Sequence, residues 1–123
     1  MTVRIFAVNP SDSKQNPVLI TPFTGIHFLS GVAANIISRK INIPYYKAFI
    51  IWFLIHMFYE IKDLYYSYIT KTGFDNSFIN SVSDQVFGVL GFMIGQSLPI
   101  EIMNPFLFMF VLIVVIAYII KLP

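Results

Sequence analysis

A chain of 123 residues that is 57% hydrophobic and only 11% charged, with mean hydropathy +0.75, has too few charges to cover a water-facing surface. Its net charge of +2 is dispersed, with Arg39-Lys40 the longest basic run, which excludes a nucleic-acid footprint. The absence of cysteine excludes disulfides, thiolate metal sites and cysteine nucleophiles.

Residues 1–20 read as a polar lead-in punctuated by Pro10 and Pro17. The apolar patch Val3 to Val8 is followed by Asn9, Pro10, Ser11 and Asp12, without an h-region and cleavage site. Membrane targeting is therefore expected through the first transmembrane helix. Residues 21–123 are expected to form one transmembrane bundle of four helices.

The first helix is expected over 22–38 and is the least apolar, since it carries His27, Ser30, Gly31 and Asn35. Arg39, Lys40, Asn42 and Pro44 close it, and Pro44 suits the first turn of the next helix. The second helix, 45–68, starts strongly apolar and then carries Glu60, Lys62 and Asp63. Tyr45, Tyr46 and Trp52 are read as one interfacial belt, and Tyr65, Tyr66 and Tyr68 as the other.

A loop is expected over 71–76, with Ser77 capping a third helix over 78–98. Pro99, Glu101, Asn104 and Pro105 mark a turn, and the fourth helix, 105–120, contains no charge. A chain this short cannot bury four such segments in a water-soluble core. In lipid the backbone must satisfy its own polar groups, which leaves helices or a closed barrel. The runs lack period-two alternation, so the fold class is all-α, a polytopic transmembrane four-helix bundle. Basic residues are nearly balanced between the two sides, which leaves orientation open.

Ionisable groups inside spans cost about 2.5–3.5 kcal/mol each on insertion scales and usually mark function. At roughly 1.5 Å per residue, Asp63 lies about 7 Å and Glu60 about 12 Å from the end of the second helix. By the same measure Asp84 lies about 9 Å into the third helix and His27 about 8 Å into the first. Up-down topology brings these depths into one layer, with His56 one turn deeper.

His56, Glu60 and Asp63 fall on one stripe of the second helix, at i, i+4 and i+7. Asn80, Asp84, Gly88, Gly91 and Gly95 form one stripe of the third, and His27, Gly31, Ala34 and Ser38 one stripe of the first. Small residues on these stripes allow close backbone approach. Polar groups and packing faces thus coincide, as expected if the polar groups point inward.

Glu60 is the expected proton acceptor, His27 its partner and Asp84 a second carboxylate. His56, Asp63 and Asn80 complete the candidate ligand-binding set. Each has a structural alternative. Asp63 can pair with Lys62 or Lys71 at the interface, Glu60 and His27 can simply fix helix docking, and Asn80 can cap or bond across helices. Imidazole with carboxylates also suits Zn, Mn or Fe, but no HExxH-type motif is present, so the sequence leaves metal and cofactor unassigned. A proton or cation relay is the other chemical use of such a cluster.

The strings GIHFLSG with the following Arg39, FYEIKD, and NSVSDQVFGVLGFMIG resemble the VanZ-like and YjdF-like membrane proteins over residues 22–98. That resemblance implies family positions at His27, Glu60, Asp84, Gly88 and Gly91. Lys62 and Asp63 follow Glu60, and no arginine lies between Glu60 and Asp84, which departs from the VanZ-like pattern. The Ile-rich, Lys-over-Arg composition also resembles membrane proteins of large DNA viruses.

The expected function is that of a VanZ-like multi-pass membrane protein, in a cell membrane or a viral inner membrane. Its cluster would bind or act on a lipid-linked or cationic ligand. The alternative is a non-catalytic component of a virion inner membrane. Expected partners are the lipid bilayer and, beyond it, further copies of the chain or other membrane or capsid proteins, with no nucleic acid.

Overall fold

A computed structural model of the chain describes residues 4–6, 18–21, 23–70 and 78–121. The expected loop at 71–76, the Ser77 cap, Pro10 and Pro17, and the side chains of Tyr66 and Tyr68 lie outside the described residues. The architecture is all-α in its four principal elements: α1 (Thr24–Lys40), α2 (Tyr45–Thr70), α3 (Phe78–Gly95) and α4 (Met103–Lys121). A single turn of 3-10 helix, Ile100–Ile102, leads into α4.

The lead-in contributes two short strands, β1 (Arg4–Phe6) and β2 (Val18–Ile20), paired in parallel with Arg4 opposite Val18 and Phe6 opposite Ile20. A polar lead-in gave no reason to expect them. β2 is a wholly apolar three-residue run and β1 follows Arg4 with Ile5 and Phe6; both are too short for a helix and suited to a pleated edge.

Local chemistry sets the helix limits. The Thr24 hydroxyl accepts from the Thr21 amide at 3.0 Å, and the Thr21 hydroxyl accepts from the Phe23 amide at 3.2 Å. These bonds start α1 at residue 24. At its other end Asn42 takes a left-handed conformation, φ 62°, which Asn tolerates better than most residues. The Ile43 amide then donates to Ser38 O at 2.9 Å and the Asn42 amide to Arg39 O at 3.2 Å, a Schellman closure. Pro44 follows, and its carbonyl accepts from the Ala48 amide as α2 begins. α3 stops at Gly95, short of residue 98, because the amides of Gln96, Ser97 and Leu98 turn back to carbonyls three residues earlier.

α1 and α3 run parallel and in backbone contact. A Cβ on Gly31 would collide with the Gly88 carbonyl, and one on Gly91 with the Phe28 carbonyl. Only glycine permits this approach, which is the close packing implied by the spaced small residues. α2 lies antiparallel to α3. Gly88 opens a slot for the Trp52 indole, which stacks on Phe92 with centroids 5.6 Å apart. Trp52 is therefore a buried core residue and not part of an interfacial belt, whereas Tyr45, Tyr46 and Tyr65 are exposed. Phe92 and Ile36 are fully buried at the centre.

Polarity is distributed in an unusual way. His27, Asn35, Ser38, His56, Glu60, Asn80, Ser81, Ser83 and Asp84 are buried. Ile51, Ile55 and Phe58 of α2, Val82 and Val86 of α3, and Phe108 and Val111 of α4 are exposed. Among the described residues one helix, Phe78–Gly95, is long and apolar enough to cross a membrane, and Ile100–Ile116 is a shorter apolar helix.

Candidate functional site

The site lies where α1, α2 and α3 meet. α1 supplies His27, α2 supplies His56 and Glu60 from successive turns, and α3 supplies Asp84. His27 is the hub. Its Nδ1 lies 2.9 Å from His56 Nε2 and 3.3 Å from Glu60 Oε1, and its Nε2 lies 3.3 Å from Asp84 Oδ2. His56 Nε2 and Glu60 Oε1, one turn apart on α2, are separated by 3.8 Å. The structure thus brings together His27, Glu60 and Asp84, and the His56 side chain reaches the same cluster from one turn further along α2.

The surroundings orient both rings. The Gln85 side-chain amide donates to Phe53 O at 3.2 Å, which turns its carbonyl oxygen toward His56 Nδ1 at 2.6 Å. His56 Nδ1 must therefore carry the proton in that bond, which leaves the Nε2 lone pair facing His27. Asp84 is held in turn by the Thr24 hydroxyl at 3.4 Å, and its second oxygen lies 3.3 Å from His27 Nε2. The His56 ring is clamped by a parallel stack on Trp52, centroids 5.0 Å apart. Ser81 hydrogen-bonds the Glu60 carboxylate, yet Glu60 Oε1 is buried with no hydrogen-bond partner.

The remaining candidates stand apart from this constellation. Asp63 is half-buried and pairs with its neighbour Lys62 at 3.4 Å, while Lys62 also sits over the Tyr59 ring. Asn80 is buried and donates to Leu19 O at 3.5 Å, tying β2 to the start of α3. Gln85, Thr24 and Trp52 were not among the residues singled out for the site. Gln85 and Thr24 have one legible signal, as polar side chains close in sequence to Asp84 and His27.

A groove of about 550 Å³ runs between α2 and α3. Its walls are apolar, including Phe53, Met57, Leu64, Phe78 and Val86, and Glu60, Ser81 and Gln85 also line it. The groove and the histidine–carboxylate cluster therefore share Glu60. Chemically the cluster can accept or relay a proton, or hold a cation among its nitrogen and oxygen donors. No protein-family model, curated protein or solved structure matches the chain.

Proposed function

We propose that the chain is a multi-pass, VanZ-like membrane protein whose buried His27–Glu60–Asp84 centre, with His56, binds or acts on the polar group of a lipid-linked ligand. The observation that carries this reading is the groove between α2 and α3, whose apolar walls suit an acyl or isoprenoid chain and which Glu60 borders. A lipid-linked ligand fits this lining better than a free cation, because apolar walls offer a hydrated ion nothing.

The membrane assignment is supported by the reversal of ordinary polarity. His27, Asn35, His56, Glu60, Asn80 and Asp84 occupy the interior, and large aliphatic and aromatic residues face outward on α2, α3 and α4. α1, with 17 residues, and α2, with Lys47, Glu60, Lys62 and Asp63, would cross as members of the bundle rather than as independently apolar spans.

The test is lipid occupancy. Wild-type protein purified in mild detergent is expected to retain lipid detectable by native mass spectrometry. Val86→Trp, which fills the groove from its exposed wall, is expected to lose that lipid while keeping its helical circular dichroism. Retention of the same lipid by a folded Val86→Trp protein would refute the groove ligand.

One observation favours a second reading. His27, His56, Glu60 and Asp84 are each no more than 9% exposed, as expected of a polar lock that only fixes helix docking, for example in a virion membrane component. In that case Glu60→Gln would lower thermal stability and leave lipid occupancy and any lipid-dependent phenotype unchanged.

A further inference from the structure

We propose that His27 Nδ1, His56 Nε2 and Glu60 Oε1 form a three-donor site for a divalent transition metal, zinc in the first instance. The inference rests on reading the cluster as a functional centre, and it adds the ion that organises that centre.

Three observations converge on it. The first is the direction of the lone pairs. Gln85 fixes the proton of His56 on Nδ1 and Asp84 faces His27 Nε2, so with each outer nitrogen protonated the two nitrogens that meet at 2.9 Å are the ones left to bind an ion. Glu60 Oε1 joins them at 3.3 and 3.8 Å. Three electron-pair donors in one buried spot repel unless a cation lies among them. A proton can bridge the two nitrogens, but Glu60 Oε1, 3.3 and 3.8 Å from them, then stays without a hydrogen bond. A metal ion satisfies all three donors at once.

The second observation is spacing. Ligands about 2.0–2.1 Å from a tetrahedral zinc stand roughly 3.3 Å from one another. The three separations here, 2.9, 3.3 and 3.8 Å, bracket that figure, and all three donor atoms lie within 4.8 Å of one another.

The third is the outer support. A metal-binding histidine ordinarily donates its other ring N–H to a carboxylate or carbonyl, which fixes the tautomer and raises ligand basicity. Here each histidine has that partner: the Asp84 carboxylate for His27, the Gln85 carbonyl oxygen for His56. Two histidines and one glutamate also leave a coordination position for a further ligand. Because Glu60 borders the groove, the polar end of a groove-bound lipid would come within reach of the ion.

The test uses the full chain in detergent, purified without chelator. Elemental analysis is expected to find about one zinc per chain. After chelator stripping, cobalt(II) is the probe. Trp52 is the only tryptophan and lies stacked on His56, so bound cobalt is expected to quench its fluorescence saturably as visible d–d absorption appears. His56→Ala and Glu60→Gln should abolish both signals, and Asp84→Asn should weaken binding by about 10–100-fold.

The wild-type titration needs no variant to fold. Stripped wild type that keeps its helical spectrum yet binds neither cobalt nor zinc saturably overturns the site, as does full zinc stoichiometry in a folded His27→Ala/His56→Ala protein. Metal-free wild type that still holds lipid in the groove overturns the ion and leaves the lipid reading standing. Stoichiometric metal in protein that never retains lipid supports the ion and overturns the groove ligand.

Discussion

Arg39 reaches three oxygens at the end of the bundle remote from the histidines. Its Nε donates to Asn35 Oδ1 at 2.9 Å, and Nη2 donates to the carbonyls of Gly95 at 2.8 Å and Leu98 at 2.6 Å. A fixed cation thus sits at the C-terminal end of α3, on the Gly95 carbonyl and on Leu98 of the following turn, where the helix dipole favours it. Arg39→Met should lower stability by about 1.5–3 kcal/mol for each charge-assisted bond lost without a substitute, read as a fall in the thermal midpoint in detergent. Arg39→Lys should recover part of this, since one ammonium cannot reproduce the guanidinium fork. In the sequence Arg39 reads only as a closing charge, because its partners lie on α3 and its reach depends on how the helices are docked. The same limit hides Gln85. Residues spaced by i+4 share a face, and Gln85, one step from Asp84, is turned roughly 100° away from that stripe toward α2. His27, Glu60 and Asp84 were legible because depth along a helix follows directly from residue number. His56, one turn away on α2, reaches the same cluster because a side chain spans about as much as a helical turn rises.

At the scale of elements, α1 and α3 act as a pair whose spacing is set by glycines. Gly91→Ala would press a methyl group into the Phe28 carbonyl, a backbone atom that cannot rotate away. Overpacking of this kind typically costs about 1–3 kcal/mol. Gly25 provides the internal comparison, since a Cβ there meets nothing within 4 Å. Gly25→Ala should stabilise the chain by about 0.4–1 kcal/mol through helix propensity and the loss of unfolded-state freedom. Parallel thermal melts of the two variants check both signs, and destabilisation by Gly25→Ala or tolerance of Gly91→Ala would contradict the packing described. The small-residue stripe on α3 was legible from its i, i+3 and i+4 spacing. The helix ends were less so, because they depend on the Thr21–Thr24 exchange, the left-handed Asn42 and the tightened turn after Gly95. The strand pairing of β1 and β2 depends on contacts between segments far apart in the chain, which local pattern does not report.

At the scale of the whole molecule, the composition announced a polar-poor exterior, and the structure adds that, among the described residues, both histidines, Glu60, Asp84, Asn35 and Asn80 are gathered inside. That arrangement bears on how the chain is made. α1 carries His27 and Asn35 toward the interior, and apart from Arg39 in the same helix the groups that meet them belong to elements synthesised later: Asp84 and Gln96 from α3 and the turn after it, and His56 and Glu60 from α2. On the proposed membrane reading, α1 leaving the translocation machinery alone would present unpaired imidazole and amide groups to lipid. Biogenesis should therefore hold the first helix at the insertion site until the third has emerged. A nascent chain truncated after Thr70 is expected to leave α1 extractable by alkaline carbonate, and one extended through Lys121 to retain it. Equal retention at both lengths would mean that α1 enters the bilayer without its later partners.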